Sequence, residues 1–271
     1  MEETSYSLVS QSKKTELLEE WYRDKGLSGA SLKLLACFFM LIDHISQSGM
    51  LYQVWGIGGG SVIGFWNEPL GTMIASIMVL FGRIAFPIYC FFLVHGMFLT
   101  KDYRKYIYRL FLFGIVSELP FDYALSNGFS WYHQNVFFTL AFGALLILLL
   151  EKIREHIPNI YIRLIASLVV AYVIMYVAEF TYVDYGSFGI IAILFFYVAY
   201  LSRIKTTLMG LLGFFFEASL YGFVYLSLPL IYFYNGKRGN MNKYFYYAFY
   251  PAHLALIYLI RDFVIPQFIG I

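Results

Sequence analysis

At 271 residues, with 60% hydrophobic, 21% aromatic and only 13% charged residues, the chain does not have the composition of a soluble globular domain, in which about a quarter of residues are charged. It reads as an integral membrane protein whose spans use nearly all of the length, so no second soluble domain is expected. A net charge of +2 says little about partners, because the placement of basic residues matters more than their sum; no nucleic-acid partner is expected.

Residues 1–29 read as a cytoplasmic or interfacial segment. No apolar signal-peptide core precedes residue 30. Leu17, Leu18 and Trp21 share a helical face among charges, which fits a short helix on the membrane surface or, nearly as well, a disordered tail. The first apolar run, 30–50, carries Lys33, Asp43 and His44. The following GIGGGSVIG, at 56–64, lacks the Lys-Ser/Thr of a phosphate loop and reads as an external or re-entrant loop. Further runs of spanning length cover 71–99, 106–126, 135–151, 161–180, 186–202 and 243–265. The piece 206–235 exceeds one span but falls short of the roughly 40 residues of two full helices. It reads as two short helices or a re-entrant pair turning near Glu217–Ser219. Cys37 and Cys90 both lie in apolar runs and read as packing residues; no metal site is expected.

Of 19 basic residues, all but Arg83 and Arg261 fall at the N-terminus, in alternate loops or at the span ends that border them, and the loops between those are free of Lys and Arg. This asymmetry predicts an all-α polytopic membrane protein of about nine transmembrane segments, with the N-terminus cytoplasmic and one transmembrane helical domain over 30–271.

Charged groups at membrane depth cost a few kcal/mol or more and mark functional candidates. Lys33 and His44 are separated by close to three helical turns and so share a face about 16 Å long. A snorkelling lysine with a packed histidine, or a site spanning from membrane edge to core, fits that spacing. Asp43 points about 100° away from His44 and needs a partner on another span, with Arg83 the leading candidate. Arg83 stands beside the kink expected at Pro87. Glu118 and Asp122 share a face of span three around Pro120 and offer either a structural ion pair such as Arg83–Glu118 or the polar wall of a cavity. Asn135 and Thr139 lie one turn apart and read as interhelical glue or cavity lining. His253 lies within the last apolar run, and His95 reads as structural. His133 is expected in solvent, with Glu179 and Asp184 at the membrane interface. Lys237 and Arg238, in the turn YNGKRGN, would hold an anionic headgroup or the phosphates of a cofactor.

The blocks LKLLACFFMLIDHI, FGRIAFPIYCFFLVHG, SELPFD with NVFFTL, and YNGKRGNMNKYFYYAFYPAHLALIYLI resemble the hallmark segments of the TraX family in order and spacing. More distantly, a basic residue eleven before a first-span histidine resembles the transmembrane acyltransferase-three families. The resemblance implies a bacterial cytoplasmic-membrane acetyltransferase, TraX being associated with N-terminal acetylation of pilin. It also implies acetyl-CoA or another short acyl-CoA thioester as co-substrate, and an exported peptide, protein or glycan as acceptor. His44 would be the catalytic histidine. Lys33 would replace the more usual arginine, keeping the charge but not the bidentate fork. Such a histidine can deprotonate an amine or hydroxyl, and Arg83 could stabilise an oxyanion or orient Asp43 and Glu118. Asp122, Asn135, Thr139 and His253 would then line the cavity. The rivals are an envelope polysaccharide O-acetyltransferase, a proton-coupled transporter relaying through Asp43, His44 and Glu118, and a non-catalytic assembly or immunity partner.

Overall fold

A computed structural model describes residues 8, 10–55, 70–215 and 222–269. The loop 56–64 and the expected turn at Glu217–Ser219 fall outside them. The described residues are helical throughout, apart from loops and two isolated bridges, Leu27 with Tyr234 and Gln134 with Val183. Five helices are long and apolar enough to cross a membrane: Gly29–Gln47, Leu70–Leu99, Val136–His156, Ile160–Phe180 and Tyr244–Phe268.

The N-terminal helix α1 (Gln11–Trp21) is tied to the bundle. Leu17 and Trp21 are buried while Leu18 is exposed, so the apolar face expected on lipid is turned largely into protein. Trp21 packs against Phe91 and Tyr200. Arg203 holds this junction by donating to the carbonyls of Trp21, Tyr232 and Tyr234. Helix α2 (Gly29–Gln47) is capped by Ser28, whose hydroxyl accepts from Ser31 N. Its first free N–H groups donate to the turn that follows Tyr234: Gly29 N to Lys237 O at 2.8 Å and Ala30 N to Arg238 O at 2.9 Å. Gly236 and Gly239 make that turn possible, with φ of +75° and +76°.

After a short helix α3 (Met50–Trp55), the second apolar run is broken into α4 (Leu70–Gly82) and α5 (Ala85–Leu99). The break falls at Arg83, four residues before Pro87, because the proline ring clashes with the carbonyl at that spacing and supplies no N–H to it. Helix α5 is apolar nearly all round and buried along most of its length, as a central helix must be. Around it stand α2, α7 (Val136–His156) and α9 (Gly186–Ala199), with α6 (Tyr103–Leu125) packed on α7, while α8 (Ile160–Phe180) turns Leu164, Leu168 and Tyr172 outward. Two short helical pieces, α10 (Arg203–Gly213) and Phe223–Tyr232, flank 216–221.

Helix α12 (Lys243–Leu259) follows α11 (Ser227–Tyr232) and loosens into a π-helical turn at Ile260–Val264, after which α13 (Ile265–Ile269) resumes the α-helix. Arg261 in that turn is buried and donates to the carbonyls of Ser48, Tyr123 and Ala124. It thereby neutralises the carbonyl ends of α2 and α6 together, which accounts for a basic residue at that end of the bundle.

Candidate active site

Adjoining cavities lie along α2. The first, about 230 Å³, is lined by Lys33, Phe92, His95, Tyr106, Arg109 and Tyr246 among others. Lys33 Nζ lies 4.5 Å from the centroid of Phe92 and 5.4 Å from that of Tyr246, so ring faces stand where a counter-ion would. His95 bonds the hydroxyl of Tyr200 through Nδ1, with Tyr234 Oη 3.3 Å from Nε2. Arg109 Nε is buried and has no hydrogen-bond partner among the described residues. None of the described residues lining this cavity is a carboxylate.

The second cavity, about 200 Å³, contains Asp43, His44, Gln47, Arg83, His133 and Asp184 in its wall. Met40, Tyr89, Val136 and Tyr250 line both cavities and form the partition between them. Tyr89 is held there by a 3.2 Å contact of its hydroxyl with Cys37 Sγ. His133, Asp184 and Tyr185 also border a third cavity, of about 300 Å³, which extends past Glu179. One face of α2 therefore carries Lys33 in the first chamber and His44 in the second.

His44 is buried, with Nδ1 2.7 Å from Nε2 of His253, and His253 Nδ1 lies 2.8 Å from the carbonyl oxygen of Phe249. Asp43 Oδ2 accepts from Gln47 Nε2 at 2.7 Å, one turn along its own helix rather than from Arg83; Oδ1 is buried without a hydrogen bond. The side chain sits against Gly82, where an added Cβ would come within 2.3 Å of Asp43 Cβ. Arg83 shares the cavity wall with Asp43, and its guanidinium carbon lies 5.9 Å from the centroid of Tyr185.

Of the two alternatives for Glu118, the Arg83–Glu118 ion pair gives way to a Glu118–Asn135 contact: Glu118 accepts from both the side-chain amide and the backbone N–H of Asn135. Asn135 also donates to Gly114 O at 2.8 Å and caps α7 by accepting from Phe137 N. Asp122 accepts from Ser130 N at 3.1 Å, and Thr139 donates to Asp184 O. Glu118, Asp122, Asn135, Thr139 and His253 all stand behind the described walls of these cavities rather than in them. Lys237 and Arg238 lie beside the first turn of α2, below Lys33, with Lys237 Nζ 5.2 Å from the ring of Tyr22.

The walls also contain Arg109, Tyr89 and Tyr250, for which the sequence carries no signal, together with His95, read as structural and bonded to Tyr200 and Tyr234, and with His133 and Asp184, expected in solvent and at the interface. His133 Nε2 is 3.7 Å from Asp184 Oδ1, and this carboxylate holds the imidazole above its ordinary value against the opposing effect of burial. The two residues are far apart in sequence and meet because the bridge between Gln134 and Val183 joins their loops. Only the proximity of His133 to the polar cluster at Gln134–Asn135 hinted at this.

A family model described as TraX protein matches residues 28–261. A protein of Dichelobacter nodosus named "Probable fimbrial assembly protein FimC, serogroup H1" is 29% identical, over 87% of this chain and 96% of the relative. No solved structure matches the chain.

Proposed function

The chain belongs to the TraX family, a family of helical membrane proteins, and we propose that it transfers an acetyl or other short acyl group from cytoplasmic acyl-CoA to an exported acceptor. The observation that carries this reading is the pair of chambers meeting at Tyr89 and Tyr250, with Lys33 in one and His44 in the other. The basic loops argue for a cytoplasmic Lys33 end and about nine crossings of a bacterial cytoplasmic membrane. The first chamber then receives the thioester arm: its walls are largely aromatic and aliphatic, and the charged side chains among its described lining residues, Lys33 and Arg109, are cationic. Arg109 Nε is the kind of orphaned buried donor that an anionic or carbonyl group would satisfy. Lys237 and Arg238, beside the first turn of α2, suit the phosphates.

In the second chamber, His44 takes the proton of the acceptor's amine or hydroxyl as the new bond to the acyl carbon forms. The carbon–sulfur bond then breaks, and the proton is delivered to the departing sulfur. Arg83, in the wall of the same chamber, shares the developing negative charge. The name of the Dichelobacter relative favours a surface-filament subunit as acceptor, through its N-terminal amine, over an envelope glycan. A proton-coupled transporter would have little use for the cationic aromatic chamber.

The test is binding of acetyl-CoA to the purified protein in lipid nanodiscs, together with acetyl transfer to a peptide bearing a free N-terminus. His44→Ala should bind acetyl-CoA normally and lose transfer by about a thousandfold, within the range of a general base. Full transfer by His44→Ala, or no binding of any CoA thioester by the wild type, overturns the reading.

A further inference from the structure

We infer that His253 is a positioning residue that fixes the proton of His44 on Nδ1, leaving Nε2 as an unprotonated base in the second chamber. The inference rests on the acyl-transfer reading for its purpose, but its geometry is independent of it. The chain of assignments begins at Phe249, whose carbonyl oxygen can only accept. The 2.8 Å contact with His253 Nδ1 therefore requires a proton on that nitrogen. His253 is buried and takes part in no ion pair among the described residues, so nothing compensates a second proton and the ring is neutral. Its Nε2 is then an acceptor. The 2.7 Å contact with His44 Nδ1 consequently carries the hydrogen of His44.

Ring geometry agrees with this assignment. The two imidazole planes lie within 9° of each other and their centroids are 5.0 Å apart, so the rings sit side by side and the N–H points along the bond. Phe249 stacks on His253, with centroids 4.7 Å apart and planes within 14°, and Tyr250 packs edge-on against both histidines. These rings hold His253 in place. His44 Nε2 makes no hydrogen bond among the described residues, while the side chain lines the chamber with His133 and Asp184. A carboxylate in the place of His253 would orient His44 equally well, but it would bury a charge. A second neutral histidine achieves the orientation without one.

The experiment is nitrogen-15 NMR of histidine-labelled protein in nanodiscs, with His44 assigned by the loss of its signals in His44→Gln. Wild type should show a protonated Nδ1 and a bare Nε2 on His44. His253→Phe keeps a ring in the stack but removes the acceptor, so His44 should shift toward the Nε2–H form. With acetyl-CoA, kcat should fall on the order of a hundredfold with little change in KM. His253→Gln, whose amide oxygen can accept, should recover most of both the spectrum and the rate. An Nε2–H signal on His44 in the wild type, or an unchanged tautomer in His253→Phe, overturns the inference. If the spectra behave as expected but no acyl transfer occurs in any variant, the positioning of His44 stands and the acyl-transfer reading falls.

Discussion

The two chambers on either side of Tyr89 and Tyr250 share α2 and differ in chemistry. Around Lys33 the walls are aromatic and the charges cationic; around His44 they are polar, with carboxylates and bases opposed. Three helical turns of α2 therefore pass from an aromatic, cationic environment to a polar one of mixed charge. The contrast teaches that the partition matters as much as either end: Met40, Tyr89, Val136 and Tyr250 separate Lys33 and Arg109 on one side from Arg83, His44 and the carboxylates on the other.

The largest effect expected from a change confined to the first chamber is at Lys33. Lys33→Met keeps the stem against Phe92 but removes the charge, so KM for acetyl-CoA should rise about ten- to a hundredfold, the worth of one charged hydrogen bond, while kcat stays near wild type. Lys33→Arg should restore affinity. A fall in kcat with unchanged KM would mean that the two chambers do not divide binding from chemistry.

Gly82→Ala probes the second chamber through its frame. The added carbon would meet Asp43 Cβ, which cannot swing aside as a longer side chain could, so α2 and α4 must separate. The expected cost is about 1–3 kcal/mol, read as a lower thermal midpoint in detergent, with acetyl-CoA affinity little changed. An equal loss of affinity would show that the chambers are mechanically one.

The smallest effect belongs to the His133–Asp184 pair. Because Asp184 raises the value of His133 above 6.5, the charged pair contributes fully at pH below 6.5, and its contribution is lost as pH rises through the higher folded value. His133→Gln should therefore melt lower than wild type in acid, and the gap should close toward alkaline pH. Both side chains are partly exposed, so the shift will be small. A gap that widens with pH would contradict the pairing.

Much of this was legible along the chain. Apolar runs of spanning length are local properties of composition, as is the break in the second run, since Pro87 acts on a carbonyl four residues away. The common face of Lys33 and His44 follows from helical periodicity alone. Asp43 was harder: periodicity excludes His44 as its partner, but Gln47, one turn ahead, competes successfully with any group from another helix. Glu118 found Asn135 instead of Arg83 because α6 packs against α7 at that level.

The sequence by itself determined that the chain is a helical membrane protein of the TraX family, with its polar residues gathered on a few turns. Tertiary structure alone decided who meets whom. His44 and His253 lie at opposite ends of the chain, and His133 reaches Asp184 through paired loops. The physical reason is that periodicity specifies the direction of a side chain about its own helix axis. The neighbour waiting in that direction depends on which helices pack together, and in apolar helices such as α5 nearly every face could be the packed one.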